Sequence, residues 1–232
     1  MKKAERRAYT FEVRAEETEG IARLEGRAIL YNSRTNIGRF DEIIEPGALD
    51  NTDLKDVPFF ANHNINSIPL ARSRNNNENS TMQLIPGDEG MDIRVDLDTE
   101  NNVESRALYS ATGRGDISGM SFMMIVDRDK DVWTDVESDY PKRRIMSITR
   151  VLEVSAVAFP AYEQTSIQVA SQDDALDSAR ASLESAKKRL AEDRAAQEAA
   201  EAAEKAAQAE AERRTAALER LNNLITEVSA HE

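Results

Sequence analysis

From Asp173 to Glu232 the chain has no glycine and no proline, and alanine dominates. Alanine is the strongest helix former, and nothing in this stretch breaks a helix or reverses the chain tightly. Leu176, Leu183 and Leu190 fall seven apart, with Ala179 and Ala186 in the complementary position. The same phase returns at Ala211, Leu218 and Ile225, with Leu221 and Val228 beside them. This heptad pattern predicts a coiled coil or a helical hairpin, with Asp173 or Asp174 as the N-cap. Asp193, Gln197, Glu204 and Arg214 fall on the seam, so packing is expected to be firmer at the two ends than in the middle. A solvated single helix without a partner is the competing reading.

Upstream the periodicity is different. Tyr9, Phe11 and Val13 alternate with polar residues, the period-2 signature of a strand. Ile21 to Tyr31 reads as a second strand, and Val57-Phe60, Ile68-Leu70, Met82-Ile85 and Met91-Leu97 as further short ones. Pro46-Gly47, Pro86-Gly87 and the Asn75-Asn76-Asn77 run mark turns. Asn101 to Ala111 carries Val103, Ala107 and Leu108 at helical spacing, and Gly113 and Gly115 stop it. Met120-Val126, Ile145-Val151 and Val154-Phe159 are apolar and β-branched, hence strands. The fold class expected is α+β and mostly β: a small closed or sandwiched, barrel-like domain with flanking helices, then a long C-terminal helix. The boundaries expected are 1–167 for the domain, 168–174 for a linker and 175–232 for the helical tail.

Composition removes several functions. The chain has no cysteine, so disulfides, thiolate nucleophiles and cysteine-zinc sites are excluded. One histidine in the body of the chain, His63, does not supply a zinc or iron site, and no P-loop or dinucleotide fingerprint is present. No metal and no cofactor is expected. The net charge is −13 and no basic face is evident, which argues against nucleic acid as a partner. The basic start, Met1-Lys2-Lys3-Ala4-Glu5-Arg6-Arg7, is followed by no apolar run, so it does not read as a signal peptide. No stretch is long and apolar enough to suggest a membrane span.

The remaining chemistry centres on His63, in Asn62-His63-Asn64. The other histidine, His231, is the penultimate residue of the charged tail. Imidazole, with an unperturbed pKa of about 6.5, takes and returns a proton near neutral pH. A single histidine in a strand is more often a packing residue than a catalytic one, so the case depends on its partners. Ser118 and Ser121, in Gly115-Asp116-Ile117-Ser118-Gly119-Met120-Ser121-Phe122, are candidate nucleophiles. A serine in a glycine-rich turn is commonly just turn chemistry. Ser121 is favoured because it begins the apolar run Phe122-Val126, a rigid strand, whereas Ser118 lies in the turn before it. Glu153, between Leu152 and Val154, is a carboxylate in an apolar strand. Such a group must be paired or must point to solvent, so it suits an acid that orients His63. Asp41, Asp92, Asp96 and Asp98 are the other carboxylates available for that role.

Four ordered stretches resemble the prohead proteases of tailed bacteriophages, serine peptidases distantly similar to the herpesvirus assemblins. They are Gly26-Arg27-Ala28-Ile29-Leu30-Tyr31-Asn32-Ser33, then Phe40-Asp41-Glu42-Ile43-Ile44-Glu45-Pro46-Gly47-Ala48-Leu49, then Asn62-His63-Asn64 with Pro69-Leu70-Ala71-Arg72-Ser73, then Arg114 to Phe122. Leu152-Glu153-Val154-Ser155 through Phe159-Pro160-Ala161-Tyr162 closes the match, which covers roughly Tyr9 to Ile167. The resemblance implies a barrel-like fold, His63 as general base, Ser121 as nucleophile and Glu153 as third member. It departs from the family at Met123, where a glycine is usual. It implies the major capsid protein and the scaffold as substrates, processing of the protease itself, and action in the host cytoplasm inside the assembling prohead. The tail would then tether the enzyme to scaffold or shell, or associate with itself.

Two functions follow as expectations. One is a serine endopeptidase of capsid maturation. The alternative is a non-enzymatic assembly or scaffolding module that acts through the helical tail, with the β domain as a folded cap.

Overall fold

The computed structural model describes residues 4–9, 13–18, 21–158 and 169–229. Part of the strand expected at Tyr9 to Val13, the motif Phe159-Pro160-Ala161-Tyr162 and His231 lie outside them. The chain divides into two compact units, Met1–Glu184 and Ser185–Glu232.

The first unit is built on three open sheets. The strands are β1 (Glu5–Tyr9), β2 (Arg14–Thr18), β3 (Ile21–Leu30), β4 (Thr35–Asn36), β5 (Asp41–Ile44), β6 (Pro58–Ala61) and β7 (Ala71–Arg72). They continue as β8 (Met82–Gly87), β9 (Gly90–Leu97), β10 (Gly119–Val126), β11 (Val132–Thr134), β12 (Lys142–Ile145) and β13 (Ile148–Val157). One sheet runs β1-β10-β13-β6-β7, a second β11-β12-β5-β4 and a third β2-β3-β9-β8. The expected closed barrel is therefore corrected to open sheets. The edge strands β4 and β7 have only two residues each, too few to carry a ladder on to a neighbouring sheet.

Alternation explains which faces meet. On β9, Met91, Ile93, Val95 and Leu97 are buried, while Asp92 and Asp96 turn outward to Arg27 and Arg23 on β3, both at 2.7 Å. Gly90 begins this strand at φ 147°, where a Cβ would lie 1.9 Å from the Ile29 carbonyl oxygen. Only glycine fits so close an approach. Inward residues of all three sheets share one core, including Leu24, Ile93 and Val95, Ile44 and Ile145, and Phe59, Phe122, Met124 and Val154. Each such side chain contributes roughly 1.5–3 kcal/mol by leaving water.

Helix α1 (Val103–Gly113) packs on β2, β3 and β9. Asn102 caps it by accepting from the Glu104 and Ser105 amides, and it ends at Gly113 as the sequence indicates. The expected strand at Ile68-Leu70 is irregular; pairing starts one residue later, at β7. The expected strands Ile145-Val151 and Val154-Phe159 are, within the described residues, the end of β12 and one continuous β13.

Helix α2 (Val169–Ser229) begins before Asp173, so neither Asp173 nor Asp174 caps it, and the linker expected at 168–174 is helical from Val169. Nothing between Val169 and Asp173 is a glycine or proline, so the helix has no reason to start later. Within the first unit its Ala179 and Ser182 are buried against the sheets. In the second unit the side chains of residues 191–215 are exposed.

Candidate functional site

Three adjacent strands, β10, β13 and β6, build the site. Strand β13 supplies Glu153 and Ser155, two residues apart and so on one face. A register shift against β10 leaves Leu152 without a partner between Val151 and Glu153. That bulge resets the alternation just before the acid, so that Glu153, Ser155 and Val157 share a face opposite Val154 and Ala156. Glu153 is only 2 % exposed and does not turn to solvent. Burial of a carboxylate requires partners, and it has two. One oxygen lies 2.5 Å from His63 Nδ1. The other accepts from the Ser155 hydroxyl at 2.7 Å.

His63 lies two residues beyond the end of β6, in a turn where Asn62 (φ 50°) and His63 (φ 57°) are both left-handed. That conformation is uncommon for a histidine and is held from several sides. The Asn62 amide continues the ladder to the Ala156 carbonyl at 2.8 Å, and its side-chain oxygen accepts from the Ala158 amide at 3.0 Å. The His63 amide donates to the Ser155 hydroxyl oxygen at 3.3 Å. With Glu153 accepting at Nδ1, the proton belongs on Nδ1 and the Nε2 lone pair is free, the tautomer of a general base.

Ser121 lies on β10 directly across from Ser155. Cross-strand partners share a face, with Cβ atoms about 4.5–5.5 Å apart. Ser121 is fully buried, and its hydroxyl donates to the Arg7 carbonyl of β1 at 2.8 Å rather than to the imidazole. Met123, where the resemblance expects glycine, faces Glu153 across the same pair of strands. Ser118 is exposed in the loop before β10.

The other carboxylates are committed elsewhere. Asp92 and Asp96 pair with Arg27 and Arg23 on the outer face of their sheet, Asp98 accepts from the Asn101 amide, and Asp41 accepts from the Tyr140 hydroxyl at 2.8 Å. Sequence reasoning passed over Ser155 as a site residue. Its place two residues after Glu153 on a strand is the signal that reveals it.

A second polar cluster lies on the opposite face of β10. Glu5 and Arg7 pair with Met124 and Phe122, hence face away from Ser121. Arg7 bonds both Glu5, at 2.7 Å, and Glu42. Arg143, fully buried, bonds Glu5, Glu42 and Asp131. Burial opposes the charge on both guanidiniums, but the carboxylates around them outweigh it and raise both pKa values. Asp131 is different. Burial is the largest influence and pushes its carboxyl up to about 6, with Glu5 and Glu42 adding to Arg143's incomplete compensation. No sequence pattern announces this cluster.

In comparisons with known proteins, the family model described as caudovirus prohead serine protease matches residues 9–178. No curated protein and no solved structure matches the chain.

Proposed function

The chain belongs to the caudovirus prohead serine proteases, and on that basis we propose that it is a serine endopeptidase whose nucleophile, base and orienting acid are Ser121, His63 and Glu153. The observation that carries the assignment is the 2.5 Å contact between His63 Nδ1 and a buried Glu153, on the strand paired with Ser121. Turning its hydroxyl from the Arg7 carbonyl toward His63 Nε2 readies Ser121 for attack. Its oxygen adds to the scissile carbonyl carbon, and the hydroxyl proton passes to Nε2. Glu153 holds the ring and balances the imidazolium. The tetrahedral intermediate collapses, the C–N bond breaks, and the proton goes from Nε2 to the leaving amine. Water then attacks the acyl-enzyme, gives a proton to Nε2, and the ester bond to Ser121 breaks to restore the enzyme.

The substrates we propose are the major capsid protein and the scaffold inside the assembling prohead, together with this chain's own segment after Tyr162. Tail-driven self-association is part of the proposal, supported by the heptad phase and by the exposed residues 191–215. Coexpression with the capsid protein, followed by intact mass, tests the assignment. Ser121→Ala is expected to reduce cleavage about 10⁴-fold or more. Normal cleavage by that variant removes Ser121 as nucleophile, and loss in Ser118→Ala instead transfers the role to Ser118.

A further inference from the structure

We propose that Ser155 is a positioning residue of the reaction, resting on the assignment of His63, Glu153 and Ser121 above. Its hydroxyl binds the acid and the histidine backbone at once. The O–H donates to Glu153 Oε2 at 2.7 Å, and the oxygen accepts the His63 amide at 3.3 Å. It is fully buried, and its one proton is committed to the carboxylate. Ser155 is therefore not a competing nucleophile, although it stands directly opposite Ser121.

The two bonds divide the geometry between them. A glutamate has three rotatable side-chain bonds, and one contact to a ring nitrogen leaves the carboxylate free to swing. A donor on the second oxygen fixes its plane, as outer hydrogen bonds fix the groups that touch a reacting atom. The amide bond fixes the left-handed residue that carries the imidazole. One hydroxyl thus locks acid and base in register from a rigid strand. It also takes a share of the carboxylate's charge. Without it that charge falls on the imidazole alone, which holds its proton harder and becomes a free base only at higher pH.

The test uses the full-length protein and diisopropyl fluorophosphate, which needs no knowledge of the peptide substrate. The serine oxygen bonds to phosphorus, fluoride leaves, and the serine proton passes to His63. Inactivation rate against pH, with the adduct mapped by mass, is compared across variants. Wild type is expected to carry the adduct on Ser121. Ser155→Ala is expected to react about 10- to 100-fold more slowly, the scale of losing an outer hydrogen bond. Its half-maximal pH is expected to rise, and Ser155→Thr, which keeps a hydroxyl, to recover most of the rate. Wild-type rate and midpoint in Ser155→Ala overturn the proposal, as does a slow rate with an unchanged midpoint and no recovery by threonine. An adduct on Ser155 overturns it too. If Ser155→Ala has no cooperative unfolding transition, Ser155→Cys, of similar size but a weak donor, is held to the same criteria. Undiminished reaction of Ser121→Ala sinks the underlying assignment instead, and so separates the two failures.

Discussion

Strand β10 divides two polar clusters that obey one rule with different outcomes. On one face, Glu153, Ser155 and His63 join a single carboxylate to an imidazole whose side chain remains 12 % exposed. On the other, Glu5, Glu42 and Asp131 meet Arg7 and Arg143, and all five are buried. Among the described residues, Arg7 and Arg143 share Glu5 and Glu42, while Asp131 bonds Arg143 and Ser182. The first cluster is held by hydrogen bonds and keeps one member, His63, partly exposed. The network is held by ion pairs with no exposed member, and burial raises the Asp131 carboxyl to about 6. On the proposed assignment, buried charge near β10 serves chemistry where it meets a partly exposed imidazole, and architecture where it is sealed.

The sharpest way to break that contrast is a crossed pair of substitutions. Arg143→Met roughly keeps volume but takes the cation from Asp131 and leaves Glu5 and Glu42 to Arg7, and is expected to lower the unfolding free energy by roughly 3–5 kcal/mol in denaturant titration. Glu153→Gln can still accept from His63 and donate to Ser155. It is expected to cost less than about 1 kcal/mol of stability but to slow serine acylation about 10³-fold, because the amide does not balance an imidazolium. Comparable stability losses in the two variants would erase the distinction between site and scaffold.

Much of this arrangement is legible in the sequence, and the missing parts have a physical reason. Period-2 alternation marks β3 and β9 because one face of each is buried and the other carries charge pairs. The heptad marks α2, although not its start, since propensity alone carries the helix back to Val169. His63, Ser121 and Glu153 stand out by residue type and context. The network does not, because Glu5 and Arg143 are 138 residues apart and each, read locally, is an ordinary surface charge. That the sheets stay open is equally hidden, since it depends on edge strands only two residues long.

Burial of Asp131 makes a pH prediction. The Asp131 carboxyl titrates near 6 when folded and near 3.8 when not, so the native state binds more protons between those values. Its stabilising contribution is complete below about pH 4 and is lost as pH rises through about 6. Relative to Asp131→Asn, which cannot titrate, wild type is expected to lose roughly 2–3 kcal/mol between pH 4 and pH 7. Denaturant midpoints of the two proteins across that range measure the difference. A constant gap would mean that Asp131 ionises as easily in the folded protein as in the unfolded chain. The proton has an obvious seat, since two N–H groups of Arg143 and the Ser182 hydroxyl all donate to Oδ2 and, among the described residues, no donor reaches the buried Oδ1.

The smallest expected effect lies where the sealed cluster meets the helix. Ser182 of α2 accepts from the Trp133 indole N–H at 2.9 Å and donates to Asp131 at 3.3 Å. Trp133 in turn lies against Arg143, 5.9 Å from guanidinium carbon to ring centroid, and meets Phe40 edge-on at 5.2 Å. One serine therefore joins the first turns of the helix to the charge network, and Ser182→Ala is expected to cost about 1–2 kcal/mol by leaving the indole N–H without an acceptor. Trp133 is the only tryptophan, so its fluorescence reads this contact directly. Ser182→Ala is expected to move the emission to longer wavelength as water reaches the ring, whereas removal of residues 185–232, which form the second unit, is expected to leave it unchanged. A spectral change on that truncation would mean that the rest of the tail also bears on the network. The sealed cluster would then extend into the helix rather than end at Ser182.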